Sequence, residues 1–294
     1  MVALCHAVRE RDGLVRILVG TDLSERSQAA VQRGDQLARL TQGQLALVHV
    51  VDGDLPAELV TAQAMAAQSW LAEHVAITPG RPQVEVLVRR GDPHTELIAA
   101  AHEFDADLIV LGAHRKRLLL DAFVGTTAER LLRLSTRPAL IVHQHSTEPY
   151  RRALVALDRS EASAHALRTA RDLGLLGERP TLVHVFRAAA KGKLAQVGED
   201  VTAHVEAERT RAAQEFSVHL RRHDLADFGD RVLLREGRVA SEIRSLVSEL
   251  EPDLLVLGSR GLTGVKRAAL GSVAESLMRS VPCDVLAVAP PRAV

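Results

Sequence analysis

The chain is short of cysteine, short of aromatics and without an excess of either charge. Its 294 residues include only two cysteines, Cys5 and Cys283, near opposite ends. That supplies no disulfide framework, and both are expected as free thiols in a reducing compartment. Aromatics are 2% of the residues, too few for the stacking platforms that bind single-stranded nucleic acid. The 37 basic and 37 acidic residues cancel, which argues against a nucleic-acid partner or a charged membrane surface. No run approaches the roughly 18 apolar residues a membrane span requires. The opening MVALCHAVRERDG is charged too early, with too short an apolar core, for a signal peptide. Together these absences lead to the expectation of a cytoplasmic protein.

What the chain does have is apolar strand signals alternating with helical ones, the pattern of a parallel α/β sheet. Strands are expected at 15–20 (VRILVG), 45–50 (LALVHV), 84–88, 107–111 (DLIVL) and 139–143. Helices fall between them: one capped by Ser24 or Ser27, one over 57–77 ended by Pro79-Gly80, one over 96–104, and one opened by Gly125-Thr126. The same order then recurs. RRALVALDRSE answers VRILVGTDLSE with Asp158 set against Asp22, an offset of 136. TLVHV answers ALVHV at 135, and VLLREG and DLLVLG answer VLVRRG and DLIVLG at 146. The change of offset places an insertion of about eleven residues between the second and third strands of the second half, lengthening the loop and helix over 191–223. There Glu199, Glu206, Glu208 and Arg211 read as a solvated helix face.

Four matching segments in one order define a duplication, with domains over 1–146 and 147–294 joined by the short polar hinge HSTEP. Each half is long enough to bury its own core without a disulfide or a metal. The expected fold is α/β: two tandem doubly wound, Rossmann-like domains. Each would be a five-stranded parallel sheet of order 3-2-1-4-5 with helices on both faces.

In such a sheet ligands bind at the carboxyl ends of the strands where the winding reverses, between strands one and four. Asp158 ends the first strand of the second half and Gly258 ends the fourth, so both would face one crevice. Glycines let backbone N–H groups approach a phosphate, and the start of the following helix favours negative charge. The loop reads Gly258-x2-Gly261-x9-Gly271-Ser272, which is neither the P-loop nor the dinucleotide fingerprint. An aspartate beside such a cradle suits a nucleoside phosphate.

That spacing, with an aspartate closing the first strand and HV closing the second, resembles the ATP-binding type of universal stress protein. The resemblance covers nearly the whole chain, twice, as in tandem members of that family. It implies that Asp158 and the backbone of Val185 hold the adenosine end. Gly258, Gly261, Gly271 and Ser272 would hold ribose and phosphates, and Leu257 and Val273 would line the pocket. ATP, or another adenine nucleotide, is the implied ligand, with magnesium left open. The first half offers Asp22, Val50, Gly112, Arg115, Gly125 and Thr126 in the corresponding places. Arg115 stands where the second glycine belongs, so this half is expected to bind weakly or not at all.

The fifth strands are apolar and would be edges, a liability unless covered. In that family this strand pairs with a partner domain, so 139–143 is expected to pair with 284–289 as an intramolecular pseudo-dimer; a homodimer stays open as well. His49 and His184, each just before the last valine of a second strand, read as satisfied core histidines. His143 and His145 lack a third ligand at a recognisable spacing, and Cys5-His6 with Glu10 could chelate a metal only if the N-terminus folds back. Ser272 reads as a helix-capping and phosphate-binding serine rather than a nucleophile. Three functions remain in play: a nucleotide-binding stress or signalling protein, a slow ATPase or other nucleotide-dependent enzyme, and a dimerisation module with relic sites. Lys266 and Arg267 are the loop cations an enzyme would have to use.

Overall fold

The apolar runs of both halves become strands of a single sheet. The computed structural model describes residues 14–75, 84–113, 127–188, 201–259 and 270–291. The first half runs β1 (Arg16–Thr21), α1 (Glu25–Thr41), β2 (Gln44–Val51), α2 (Ala57–Val75), β3 (Val84–Arg90), α3 (Pro93–Glu103), β4 (Leu108–Gly112), α4 (Thr127–Leu134) and β5 (Ala139–Val142). The second runs β6 (Ala153–Leu157), α5 (Glu161–Asp172), β7 (Thr181–Phe186), α6 (Val201–Arg222), a 3-10 helix (Ala226–Arg231), β8 (Val232–Glu236), α7 (Val239–Leu250), β9 (Leu254–Gly258), α8 (Ser272–Ser280) and β10 (Asp284–Val288). Strand order across the sheet is β3-β2-β1-β4-β5-β10-β9-β6-β7-β8. Each half therefore has the expected 3-2-1-4-5 order, and the two are fused edge to edge.

Alternation along each strand divides the core into two layers. Ile17, Val19 and Val110 face Ala30, Leu71, Leu167 and Phe216 on α1, α2, α5 and α6. Leu18, Ile109 and Leu111 face Ala100, Leu131, Ile243 and Leu277 on α3, α4, α7 and α8. Both layers run unbroken through the two halves.

The seam between the halves is antiparallel, with Val285 opposite Ile141, Leu286 opposite Leu140 and Ala287 opposite Ala139. Leu140 and Leu286 are equivalent residues of the repeat, so the local two-fold axis passes between them. Helices α4 and α8 confirm the symmetry by exchanging partners: Arg279 binds Glu129, and Arg133 reaches Glu275 at 3.4 Å. These four are two equivalent pairs at the 146 offset, the mark of an isologous interface. The apolar edges foreseen in the sequence thus cover each other.

One feature of the seam breaks the symmetry. Asp284 is fully buried; Tyr150 donates to it at 2.6 Å, the His143 N–H at 2.7 Å and the Gln144 N–H at 3.1 Å. Arg33 lies 3.5 Å from it and stacks 4.2 Å from the Tyr150 ring centre. Burial and the neighbouring carboxylate hold the Tyr150 hydroxyl well above the ordinary phenol range. Burial, working against Asp284, holds His143 below the ordinary imidazole value. Arg33 also donates to the Glu148 carbonyl at 2.7 Å and Gln36 to that of Thr147 at 2.5 Å. The segment read as a polar hinge is therefore strapped to α1, because its backbone carbonyls are the acceptors for buried side chains of that helix. Pro138 and Thr169 occupy the repeat positions of Asp284 and Arg33, so the network exists once.

Other boundaries shift for local reasons. Helix α3 starts earlier than expected because the Asp92 side chain caps it by accepting from the Thr95 N–H at 3.1 Å, with Pro93 in the first turn. Ser24 is the cap of α1 and Ser27 lies inside that helix. Over the described residues helix α6 has 22 residues against 19 in α2, and the remainder of the insertion lies outside them. On α6, Glu206 and Arg211 are exposed and Glu208 is half-buried, while Ala212, Phe216 and Leu220 are inward. Glu199 and Pro79-Gly80 lie outside the described residues.

Candidate functional site

Strands β6 and β9 lie side by side and parallel, with Ala156 opposite Leu257. From β6 the chain winds one way to β7 and the other way to β9, which makes their shared carboxyl end the switch point. Asp158 follows β6 directly and Gly258 ends β9, so the structure brings both to that crevice.

The turn at Asp158 is held in an unfavourable backbone state. Arg159 has φ 64°, and its first-half counterpart Leu23 has φ 63°. Left-handed backbone at a side-chain-bearing residue costs about 1–2 kcal/mol, so the surroundings must enforce it. The Ser160 N–H donates to Asp158 Oδ1 at 3.0 Å, and the Asp158 N–H donates to Ser163 Oγ at 3.3 Å. Ser160 Oγ accepts from the Ser163 N–H at 3.1 Å and so caps α5. His184 on β7 fixes the other side by donating through Nδ1 to the Leu157 carbonyl at 2.9 Å. Burial holds that imidazole below its ordinary pKa. His49 makes the same 2.9 Å bond to the Thr21 carbonyl, so both second-strand histidines are satisfied as expected.

The two aspartates are used differently. Asp22 Oδ1 accepts from both the N–H of Ser24 at 3.0 Å and its hydroxyl at 2.5 Å. Burial raises the Asp22 pKa, but the bonds from Ser24 and Ser27 outweigh it and bring it below the ordinary value. Among the described residues Asp158 accepts only the Ser160 N–H, which leaves Oδ2 open.

Gly258 has a packing role that sequence reading did not assign. A Cβ there would come within 3.0 Å of the Ser163 nitrogen and 3.2 Å of the Ala162 Cβ. The glycine lets the start of α5, and with it the Asp158 turn, lie close against the end of β9.

Ser259 is the site residue that sequence reasoning missed. Its N–H donates to the Val288 carbonyl at 2.8 Å, and its carbonyl accepts from the Gly271 N–H at 2.8 Å. That second bond pins the end of β9 to the start of α8 and closes the loop between them. The Ser259 side chain is fully buried, and its hydroxyl has no hydrogen-bond partner among the described residues. Such an orphan costs about 1–3 kcal/mol. The signal was present in the comparison of GSRG with GAHR, where Ala113 occupies the first-half position.

Helix α8 starts without a side-chain cap. Gly271 holds the N-cap position, and Ser272 is the first helical residue rather than the cap, a correction to the reading above. A glycine side chain has no oxygen to offer, so the N-cap residue itself leaves the first-turn N–H groups of this exposed helix start without a side-chain acceptor. Arg238 likewise leaves α7 uncapped, whereas Ser24, Asp92 and Ser160 cap α1, α3 and α5. Val273 is 37% exposed on the first turn of α8. Leu257 packs its side chain into the core layer beneath α7 and α8, and Val185 is half-buried against the same layer. In the first half Asp22, Val50 and Gly112 hold the corresponding places, at or beside the ends of β1, β2 and β4. Gly261, Arg115, Gly125, Thr126, Lys266 and Arg267 lie outside the described residues.

Two other features bear on ligands. Among the described residues no group of three or more His, Cys, Asp or Glu side chains is arranged to hold a metal ion. A cavity of about 820 Å³ lies at the opposite end of β6, lined in part by Tyr150, Arg151, Arg171 and Phe228. It is remote from the switch point and belongs to a different surface.

The arrangement is that of a duplicated, doubly wound α/β domain with a glycine-bearing loop at its switch point. The universal stress protein family matches residues 14–143 and again 149–289, so the chain belongs to the universal stress protein family, in two tandem copies. It is 42% identical over 57 residues to a universal stress protein of Methanocaldococcus jannaschii, a stretch covering 19% of this chain and 34% of that protein. Among solved structures it is similar to a universal stress protein from Archaeoglobus fulgidus. That pair has a TM-score of 0.64 at 21% identity, covering 94% of this chain and 98% of the other. A functionally unknown protein from Pseudomonas aeruginosa aligns with a TM-score of 0.67 at 19% identity, covering 94% and 93%. These two likenesses concern the fold. Among the described residues no helix is long and apolar enough to cross a membrane.

Proposed function

We propose that the second half binds ATP at the β6–β9 crevice, and that the protein acts in a cytoplasmic stress or signalling response through nucleotide-dependent conformation or partner choice. The observation that carries this reading is an aspartate oxygen on Asp158 with no partner among the described residues, at the same switch point as the uncapped start of α8, which the Ser259–Gly271 bond holds to the end of β9. The chemistry fits an anion with a sugar attached. The α8 N–H groups and the Gly258–Gly271 loop would take phosphate oxygens. Asp158 would accept from a sugar hydroxyl or a base amine, and the orphan hydroxyl of Ser259 is a further donor beside them. Val185 would offer backbone to the adenosine end, Ser272 and Gly261 would face the phosphates, and Val273 would cover them. Magnesium would neutralise phosphate charge when bound.

The first half is proposed as the weak partner. Asp22 Oδ1 takes two bonds from Ser24 where Asp158 Oδ1 takes one, Ala113 replaces Ser259, and Arg115 replaces the second glycine. Nucleotide identification by mass spectrometry of protein purified without added ligand tests the reading. ATP recovered from the wild type but not from Gly261→Arg supports it, and no adenine nucleotide at any concentration refutes it.

A further inference from the structure

One cluster in the second half is not used by the nucleotide reading. His184 on β7 lies 4.6 Å from the ring of Phe216 on α6, which lies 5.8 Å from His219, which lies 4.6 Å from His223. The column runs down the inner side of α6, with Phe216 almost fully buried at its centre. Its upper end meets the Asp158 turn, where Arg159 forms an ion pair with Glu215 of α6. His165 sits on α5, the helix that packs beneath the same layer.

The rings have no provision for carrying a charge. His219 Nε2 is buried and has no hydrogen-bond partner among the described residues. A protonated ring would put an N–H there with no acceptor. His184 already donates through Nδ1 to Leu157, so a second proton would have to enter at Nε2. Burial is the first cause that lowers the pKa of His165, His184, His219 and His223. Arg159, Arg168 and Arg222, and for His219 also His223, lower them further. Asp158, Glu161, Asp172, Glu215 and Asp224 oppose without reversing the direction. The packed state thus binds fewer protons than an opened one. Its stability is fully present above the ordinary histidine value of 6.5 and falls as pH drops below it.

The first half differs from this column in sequence. His49 matches His184, but Ala29 and Glu73 stand at the positions of His165 and His219, and Trp70 stands at that of Phe216. We propose that the His184–Phe216–His219–His223 column is an acid-sensitive latch that holds α6 against the Asp158 turn, and that acidification loosens α6 in the second half alone. The latch would make access to that crevice depend on pH, and its operation requires no nucleotide.

Amide hydrogen exchange on the full chain tests it, comparing protection factors of α6 and α2 at about pH 7.5 and about pH 5.5. Acidification is expected to reduce protection of α6 at least about tenfold more than that of α2, the effect of one unit of linked protonation. The double variant His219→Gln, His223→Gln should lose this difference. Equal changes in α6 and α2, or an undiminished difference in the double variant, would overturn the proposal. Should the variant not fold, the wild-type comparison of the two helices decides alone.

Discussion

Asp22 and Asp158 occupy the same turn of the same repeat, each before a residue in the left-handed region, yet Oδ1 of Asp22 accepts two bonds from Ser24 and Oδ1 of Asp158 only one, from Ser160. Around them the halves agree in what the fold demands. The strand order repeats, the Arg133–Glu275 and Arg279–Glu129 pairs reciprocate, and each second-strand histidine clamps the carbonyl that ends its first strand. They differ at the strand tips and along one helix: Ala113 against Ser259, Arg115 against Gly261, and Glu73 against His219. Sheet register and layer packing constrain both copies equally, whereas a residue beyond the end of a strand can change without moving the core.

The largest expected effect concerns the one network that has no counterpart. Asp284→Ala strands Arg33 and removes the acceptor of Tyr150, and it should cost about 3–5 kcal/mol in urea unfolding, as for a broken buried pair. Pro138→Ala at the equivalent position should cost under about 1 kcal/mol. Comparable losses at both positions would mean that the seam is held by strand pairing rather than by this network.

A smaller effect separates the two aspartates. Asp158→Ala should weaken ATP binding by about 1.5–3 kcal/mol, the range for a hydrogen bond involving a charged group. Asp22→Ala should leave ATP affinity unchanged and lower stability by about 1 kcal/mol, through loss of support for the Ser24 cap. Calorimetry read beside thermal melting distinguishes the pair.

The smallest effect has the opposite sign. Ser259→Ala copies Ala113 and removes a buried hydroxyl that has no partner among the described residues, so the ligand-free protein should gain about 1 kcal/mol while ATP binds less tightly. A loss of stability without ligand would show that the hydroxyl is satisfied in solution.

Much of this was legible in sequence, and the rest had physical reasons to stay hidden. The strands were legible because buried parallel strands are continuous apolar runs; bare apolar edges pointed to a covered fifth strand, and the family resemblance supplied its partner. Asp158 and Gly258 could be placed together because the winding order fixes which strand ends are neighbours. The Asp284 network could not be foreseen: Arg33, Tyr150 and Asp284 are far apart in sequence, and no local pattern marks a carboxylate destined for full burial. The strained turns were invisible because Leu23 and Arg159 carry no glycine signal. Ser272 was misplaced by one position because the serine preference for caps is strong, while here Gly271 takes the cap and leaves the helix start open.

The central claim is that one half of a symmetric fold has kept its site and the other has lost it. Isothermal titration of the full chain with ATP tests it directly. One tight site per chain is predicted, abolished by Gly261→Arg and joined by a second, weaker site on Arg115→Gly. Two equal sites in the wild type, or tight binding that survives Gly261→Arg, would contradict the account.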